Sequence, residues 1–109
     1  MQMTQRTHAR VPKQAGKGEI IRIKAKINHP MEPGWRKGAD GKPVQRNLIK
    51  AFFCLYNGRK VFSADFDSGI AADPYLAFYV RATESGTFRL VWVAENGEKY
   101  EKSARIEVV

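Results

Sequence analysis

The chain has 109 residues, a formal net charge of +8 and 43% hydrophobic residues. That is enough for one domain with one core, not two, and no apolar run approaches the roughly 18 residues of a membrane span. A single cysteine, Cys54, excludes an intrachain disulfide.

The charge is unevenly placed. Residues 1–50 hold 12 Lys/Arg against 3 Asp/Glu, whereas residues 51–109 hold 7 against 8. The excess therefore sits in the first half and favours an anionic partner. Residues 1–17 are polar and basic, contain glycine and lack the apolar stretch of a secretory signal. They are expected as a flexible basic tail ahead of a domain spanning 18–109.

Glu19 to Ile27, E-I-I-R-I-K-A-K-I, alternates Ile21, Ile23, Ala25 and Ile27 with Arg22, Lys24 and Lys26. This is the period-2 pattern of a half-buried strand with a basic outer face. The loop 28–46 follows, with three of the chain's five prolines and three of its nine glycines. Pro30, Pro33 and Pro43 remove backbone donors, and Gly34, Gly38 and Gly41 permit positive φ, so regular structure is not expected. A loop of this length in a compact domain is uncommon unless functional or disordered. Trp35, Met31 and His29 argue against simple disorder, so the loop reads as a recognition surface on a rigid β scaffold.

Leu48 to Tyr56 is a strand apolar on both faces, typical of a central or partner-covered strand. Asn57-Gly58 signals a type I′ hairpin, and Arg59 to Phe66 returns. A crossing loop, Asp67 to Pro74, follows, with Pro74 biasing Asp73 to an extended conformation. Tyr75 to Thr83 is an aromatic-rich strand, Glu84-Ser85-Gly86 a turn, and Thr87 to Glu95 a strand with Phe88, Leu90, Trp92 and Ala94 on one face. Asn96-Gly97 is a second type I′ signal, and Glu98 to Val109 closes the domain. Six or seven short strands without a helix give an all-β, immunoglobulin-like antiparallel β-sandwich. The Cys–Trp–Cys pattern of antibody domains is absent, so the likeness is architectural.

No catalytic constellation emerges, so the chain is read as not an enzyme, with no metal and no cofactor. His29 lacks converging ligands and reads as a loop histidine bonded to backbone. No nucleophile elbow or phosphate loop is present. Asp65, Asp67 and Asp73 lack EF-hand spacing and read as turn formers. Cys54, inside Phe52-Phe53-Cys54-Leu55-Tyr56, reads as a buried structural thiol. The aromatics say more. Three strands look apolar on both faces, one sandwich has one interior, and exposed apolar patches mark interfaces. Phe53, Leu55, Phe62, Tyr79 and Trp92 are expected at a partner interface. On alternation, Phe53 and Leu55 rather than Phe52 and Tyr56 are expected to face outward. His29, Met31, Trp35, Arg36, Lys37 and Arg46 are expected to form a docking loop, with Lys42 adding charge. The alternative is a basic β-sandwich that binds nucleic acid, with cations on phosphates and aromatics on bases; no nucleic-acid motif supports it.

His29-Pro30-Met31-Glu32, Gly34, Arg36-Lys37 and the D-G-K-P of Asp40 to Pro43 resemble the SoxZ family. So do Tyr56-Asn57-Gly58, Phe62-Ser63-Ala64-Asp65 and the run A-D-P-Y-L-A-F-Y-V-R-A-T-E-S-G-T from Ala72 to Thr87. The likeness spans about residue 15 to the end. It implies an immunoglobulin-like sandwich that forms a heterodimer with the SoxY carrier of bacterial thiosulfate oxidation, within a SoxYZ complex that could assemble further. SoxY carries sulfur intermediates on a cysteine in a flexible Gly-Gly-Cys-Gly-Gly arm. This chain ends A-R-I-E-V-V, so it is expected to be the non-catalytic subunit that helps present those intermediates to other Sox enzymes. The resemblance also implies a periplasmic location by co-export with SoxY, whose twin-arginine signal would serve both.

Overall fold

The computed structural model describes residues 6–66, 70 and 72–109. Eight strands run through them: β1 (Thr7–Arg10), β2 (Gln14–Ala15), β3 (Ile20–Ile27), β4 (Ile49–Tyr56), β5 (Arg59–Asp65), β6 (Tyr75–Arg81), β7 (Gly86–Ala94) and β8 (Lys99–Val108). They form a three-stranded sheet, β1-β3-β6, and a five-stranded sheet, β2-β8-β7-β4-β5. All pairings are antiparallel except the two-residue parallel contact of β2 with β8. The molecule is the immunoglobulin-like β-sandwich that the strand count implied.

Alternation along each strand builds the core. Ile21, Ile23, Ala25 and Ile27 point inward from β3. Across the interior, Phe52, Cys54 and Tyr56 of β4 pair in register with Trp92, Leu90 and Phe88 of β7, all buried. Phe52 packs against Trp92 with ring centroids 5.1 Å apart. From the opposite sheet Phe78 meets this stripe, with its ring centroid 5.8 Å from that of Phe52, and burying each such side chain contributes roughly 1.5–3 kcal/mol.

Three expectations are corrected. The segment read as a flexible tail is largely paired: Thr7–Arg10 lies against β3, and Gln14–Ala15 against β8. T-H-A-R has no strong strand pattern, so it is recruited by the free backbone edge of β3. Asn57-Gly58 is a two-residue turn with positive φ at both residues (49° and 82°), as a type I′ turn requires. At the second turn only Gly97 has positive φ (93°), and its N–H donates to the Ala94 carbonyl. That is a type I turn followed by a left-handed glycine. Asp73 is not extended but has φ of 53°. Its carboxylate accepts the His29 N–H at 2.7 Å, and its own N–H donates to the His29 carbonyl at 2.7 Å. Those bonds outweigh the bias from Pro74. Asp67, Ser68, Gly69 and Ala71 of the crossing loop lie outside the described residues.

The corner between β6 and β7 is held from the β4–β5 hairpin. The Tyr56 hydroxyl donates to the Glu84 carbonyl and accepts the Thr83 and Glu84 N–H groups at 3.1 and 3.0 Å. The Asn57 side chain accepts the Thr87 N–H at 2.9 Å and donates to the Ser85 carbonyl at 3.2 Å.

Candidate docking surfaces

The loop between β3 and β4 folds into a two-legged arm. Glu32 and Asn47 exchange backbone hydrogen bonds of 2.8 and 2.7 Å. Higher up, the Val44 N–H donates to the Arg36 carbonyl, and the Gly38 N–H to the Lys42 carbonyl. The tip turns at Gly41, whose φ is 79°. On the other leg Gly34, with φ of 100°, lets the chain pass so close to Arg46 that an added Cβ would lie 3.2 Å from the Arg46 Cβ.

The base of the arm is sunk into the sandwich, which corrects two expected docking residues. His29 and Met31 are buried and cannot meet a partner. The Met31 N–H donates to His29 Nδ1 at 3.0 Å, and the Met31 sulfur accepts the Ile49 N–H at 3.3 Å. Burial holds the His29 imidazole below its ordinary pKa. Of the four cations expected in the docking loop, Arg36, Lys37, Lys42 and Arg46, two are already paired. Arg36 grips the Glu32 carboxylate at 2.5–2.9 Å, and Arg46 grips Glu95 with two bonds of 2.9 Å. Both carboxyls are held below the usual range by those guanidinium bonds. Lys37 and Lys42 are exposed and enter no salt bridge among the described residues. Trp35 is 73% exposed. The arm, braced by these bonds, therefore offers a bare indole and two ammonium groups.

The five expected interface residues divide between the core and two outer faces. Trp92 is wholly buried in the core, and Phe62 points inward, stacked on Phe78 at 4.3 Å. Neither can dock a partner directly. The period-2 pattern set Trp92 beside Phe88 and Leu90, but composition cannot separate a core tryptophan from an interface one. Tyr79 is 65% exposed on the outer face of the three-stranded sheet. Phe53 and Leu55 lie on the outer face of the five-stranded sheet, opposite to buried Phe52, Cys54 and Tyr56.

That outer face carries an apolar centre. Phe53 pairs with Val91 and Ser63, Leu55 with Arg89 and Lys60, and Ala51 with Val93. Val91 is buried yet stands apart from the core cluster, as its place on this outer face requires. Charge frames the patch. The Lys60 ammonium lies 5.9 Å from the Phe53 ring centroid, and Arg89 binds Glu101 at 2.6 and 3.0 Å. An apolar centre inside a polar rim is the usual anatomy of a protein interface.

No group of three or more His, Cys, Asp or Glu could hold a metal ion among the described residues. Cys54 is buried, and desolvation pushes its thiol up to about 12, far from nucleophilic.

Comparison with known proteins is consistent with this geometry. The family model for sulphur oxidation protein SoxZ matches residues 9–105. A search of curated proteins finds no match. Among solved structures, the sulfur carrier protein SoxY from Chlorobium limicola f thiosulfatophilum aligns with a TM-score of 0.68 at 13% identity, over 96% of this chain and 76% of that one. A superoxide reductase (neelaredoxin) from Ignicoccus hospitalis aligns with a TM-score of 0.69 at 14% identity, over 96% and 81%. A putative superoxide reductase from Thermotoga maritima gives 0.71 at 15%, over 94% and 85%. At such identities these likenesses describe the shared sandwich alone.

Proposed function

The chain belongs to the SoxZ family, and we propose that it is the non-catalytic partner of a SoxY-like carrier in thiosulfate oxidation. In this reading it pairs with the carrier as a heterodimer and helps present cysteine-bound sulfur intermediates to other Sox enzymes. The carrying observation is the family match over residues 9–105. The apolar outer patch of Phe53, Leu55, Val91 and Val93 supports it by offering a surface for pairing. The buried, high-pKa Cys54 fits a subunit that is not itself the sulfur carrier. The arm suits a presenting role: it leaves from the head of β4, is braced at its base, and exposes Trp35, Lys37 and Lys42. The location we propose is the periplasm, reached by co-export with the carrier.

The test is native mass spectrometry of the protein purified from its own cells. A one-to-one complex with a small protein ending in Gly-Gly-Cys-Gly-Gly is expected. Phe53→Ser with Leu55→Ser should abolish that complex while leaving a folded monomer by circular dichroism. A wild-type chain that purifies alone refutes the pairing. A double variant that still pairs removes this face from it.

A further inference from the structure

We propose that the outer face of the β1-β3-β6 sheet is a second docking surface, shaped for a protein partner with a carboxylate-rich surface and separate from the face offered to the carrier. The strand register assembles it. Arg10 of β1 stands opposite Lys24 of β3, and His8 opposite Lys26. On the other side of β3, Arg22 stands opposite Tyr79, Lys26 opposite Tyr75, Lys24 opposite Ala77, and Ile20 opposite Arg81. No Asp or Glu occupies any of these outward positions.

This arrangement carries an electrostatic cost. Directly opposed side chains in an antiparallel pair lie about 5 Å apart at Cβ, and like charges there are destabilising. Elsewhere Arg36, Arg46 and Arg89 each close on a carboxylate of this chain. On this face Arg10, Arg22, Lys24, Lys26 and Arg81 enter no salt bridge among the described residues. Arg81 donates to the Gly18 carbonyl, at 2.7 Å. Among the described residues no carboxylate of this chain supplies the counter-charge, which leaves the face open to an acidic partner.

The spread of the charges selects the partner. Arg22 and Lys26 are four residues apart, about 13 Å along a strand, so these cations cannot converge on one small anion. Exposed tyrosines accompany them, Tyr75 at 55% and Tyr79 at 65%. Tyr and Arg are the residues that anchor protein interfaces. The two rings are themselves about 13 Å apart on β6, too far to stack successive bases of a nucleic acid. This face and the Phe53 face belong to opposite layers, so both can be occupied at once.

The face stands on its charges and exposed tyrosines; only the choice of candidate partners rests on the carrier-complex reading. The test uses the purified protein with its carrier, and as probes each sulfur-oxidation enzyme from the same cells and a single-stranded oligo(dT), measured by biolayer interferometry. Association with at least one enzyme should weaken steeply between ~20 and ~200 mM NaCl. The triple variant Arg22→Glu, Lys24→Glu, Lys26→Glu should slow that association about 10-fold or more yet still bind the carrier. Lys24→Gln alone should slow it less. Binding of every enzyme unaltered by the triple variant, or by none of them at low salt, overturns the proposal. So does tighter binding of oligo(dT) than of any enzyme, or loss of the carrier by the triple variant. A wild-type chain with no carrier but with salt-sensitive enzyme binding overturns the carrier reading and leaves this surface standing.

Discussion

Removing the Tyr56 hydroxyl should unfasten the corner between β6 and β7. Tyr56→Phe keeps the ring, which stacks on Phe88 at 4.3 Å, so the apolar burial and shape of the core are retained. What goes is one bond donated to the Glu84 carbonyl and two accepted from the Thr83 and Glu84 N–H groups. A net hydrogen bond contributes about 0.5–1.5 kcal/mol. Thr83 and Glu84 are exposed, so water can partly replace the hydroxyl, and the lower part of that range applies. Three bonds then amount to about 2 kcal/mol, or about 8 °C in Tm for a domain of this size. Urea unfolding followed by tryptophan fluorescence should show a lower midpoint with an unchanged m-value. A loss below about 0.5 kcal/mol would mean that the corner holds itself through Asn57 alone, and the clamp would be discarded.

Two further outcomes come from the same framework. Gly86→Ala should destabilise by about 1–2 kcal/mol, because a Cβ there would push the Asn57 side-chain amide off its bonds to Thr87 and Ser85; in an Asn57→Gly background most of that penalty should vanish from denaturant melts. Lowering the pH should destabilise the base of the arm through His29, whose folded pKa burial depresses below the ordinary 6.5. Below that value the unfolded chain takes up a proton that the folded site resists, so stability falls as pH drops through the folded pKa. Protonation also occupies the Nδ1 lone pair that accepts the Met31 N–H. His29→Asn should flatten thermal-melt dependence between pH 7 and about pH 5; an unchanged slope would remove His29 as its source.

Strand positions were legible because their signals are local. The alternation in Ile21 to Ile27 gave both the burial and the basic face of β3, and Asn57-Gly58 gave its turn. The pairing of Arg46 with Glu95, 49 residues away, was not legible, nor was the grip of Tyr56 on Glu84. Both depend on which loops the sandwich brings together. The same limit explains the charge map. Sequence showed that the first half was basic and pointed to the loop, whereas folding pairs Arg36 and Arg46 internally and leaves β3 bare. Strand order then sets Arg10 beside Lys24, a neighbour relation no local pattern contains. Trp92 and Phe62 were misassigned because aromatic residues fill cores and interfaces alike, and only contact with the opposite layer decides between them.

If the β3 face awaits an external counter-charge, stability and association must respond oppositely to its neutralisation. Two unit charges held at the Cβ spacing of about 5 Å would repel in water by about 0.8 kcal/mol before screening, and long side chains that splay apart repel by less. Lys24 meets Arg10 on one side and has Lys26 and Arg22 two residues away along its own strand. Lys24→Gln removes one member of that cluster and keeps a long polar side chain. It should therefore raise Tm slightly at low ionic strength, by no more than about 3 °C, and the gain should shrink toward zero near 0.5 M NaCl, where the Debye length is about 4–5 Å. The same variant should bind the acidic partner more slowly. A gain in stability coupled to a loss in association is the mark of a residue retained for binding rather than for folding. A variant that melts lower than wild type at low salt would show Lys24 to be stabilised within the fold, and the β3 face would then be a solvated surface with no counter-charge to await.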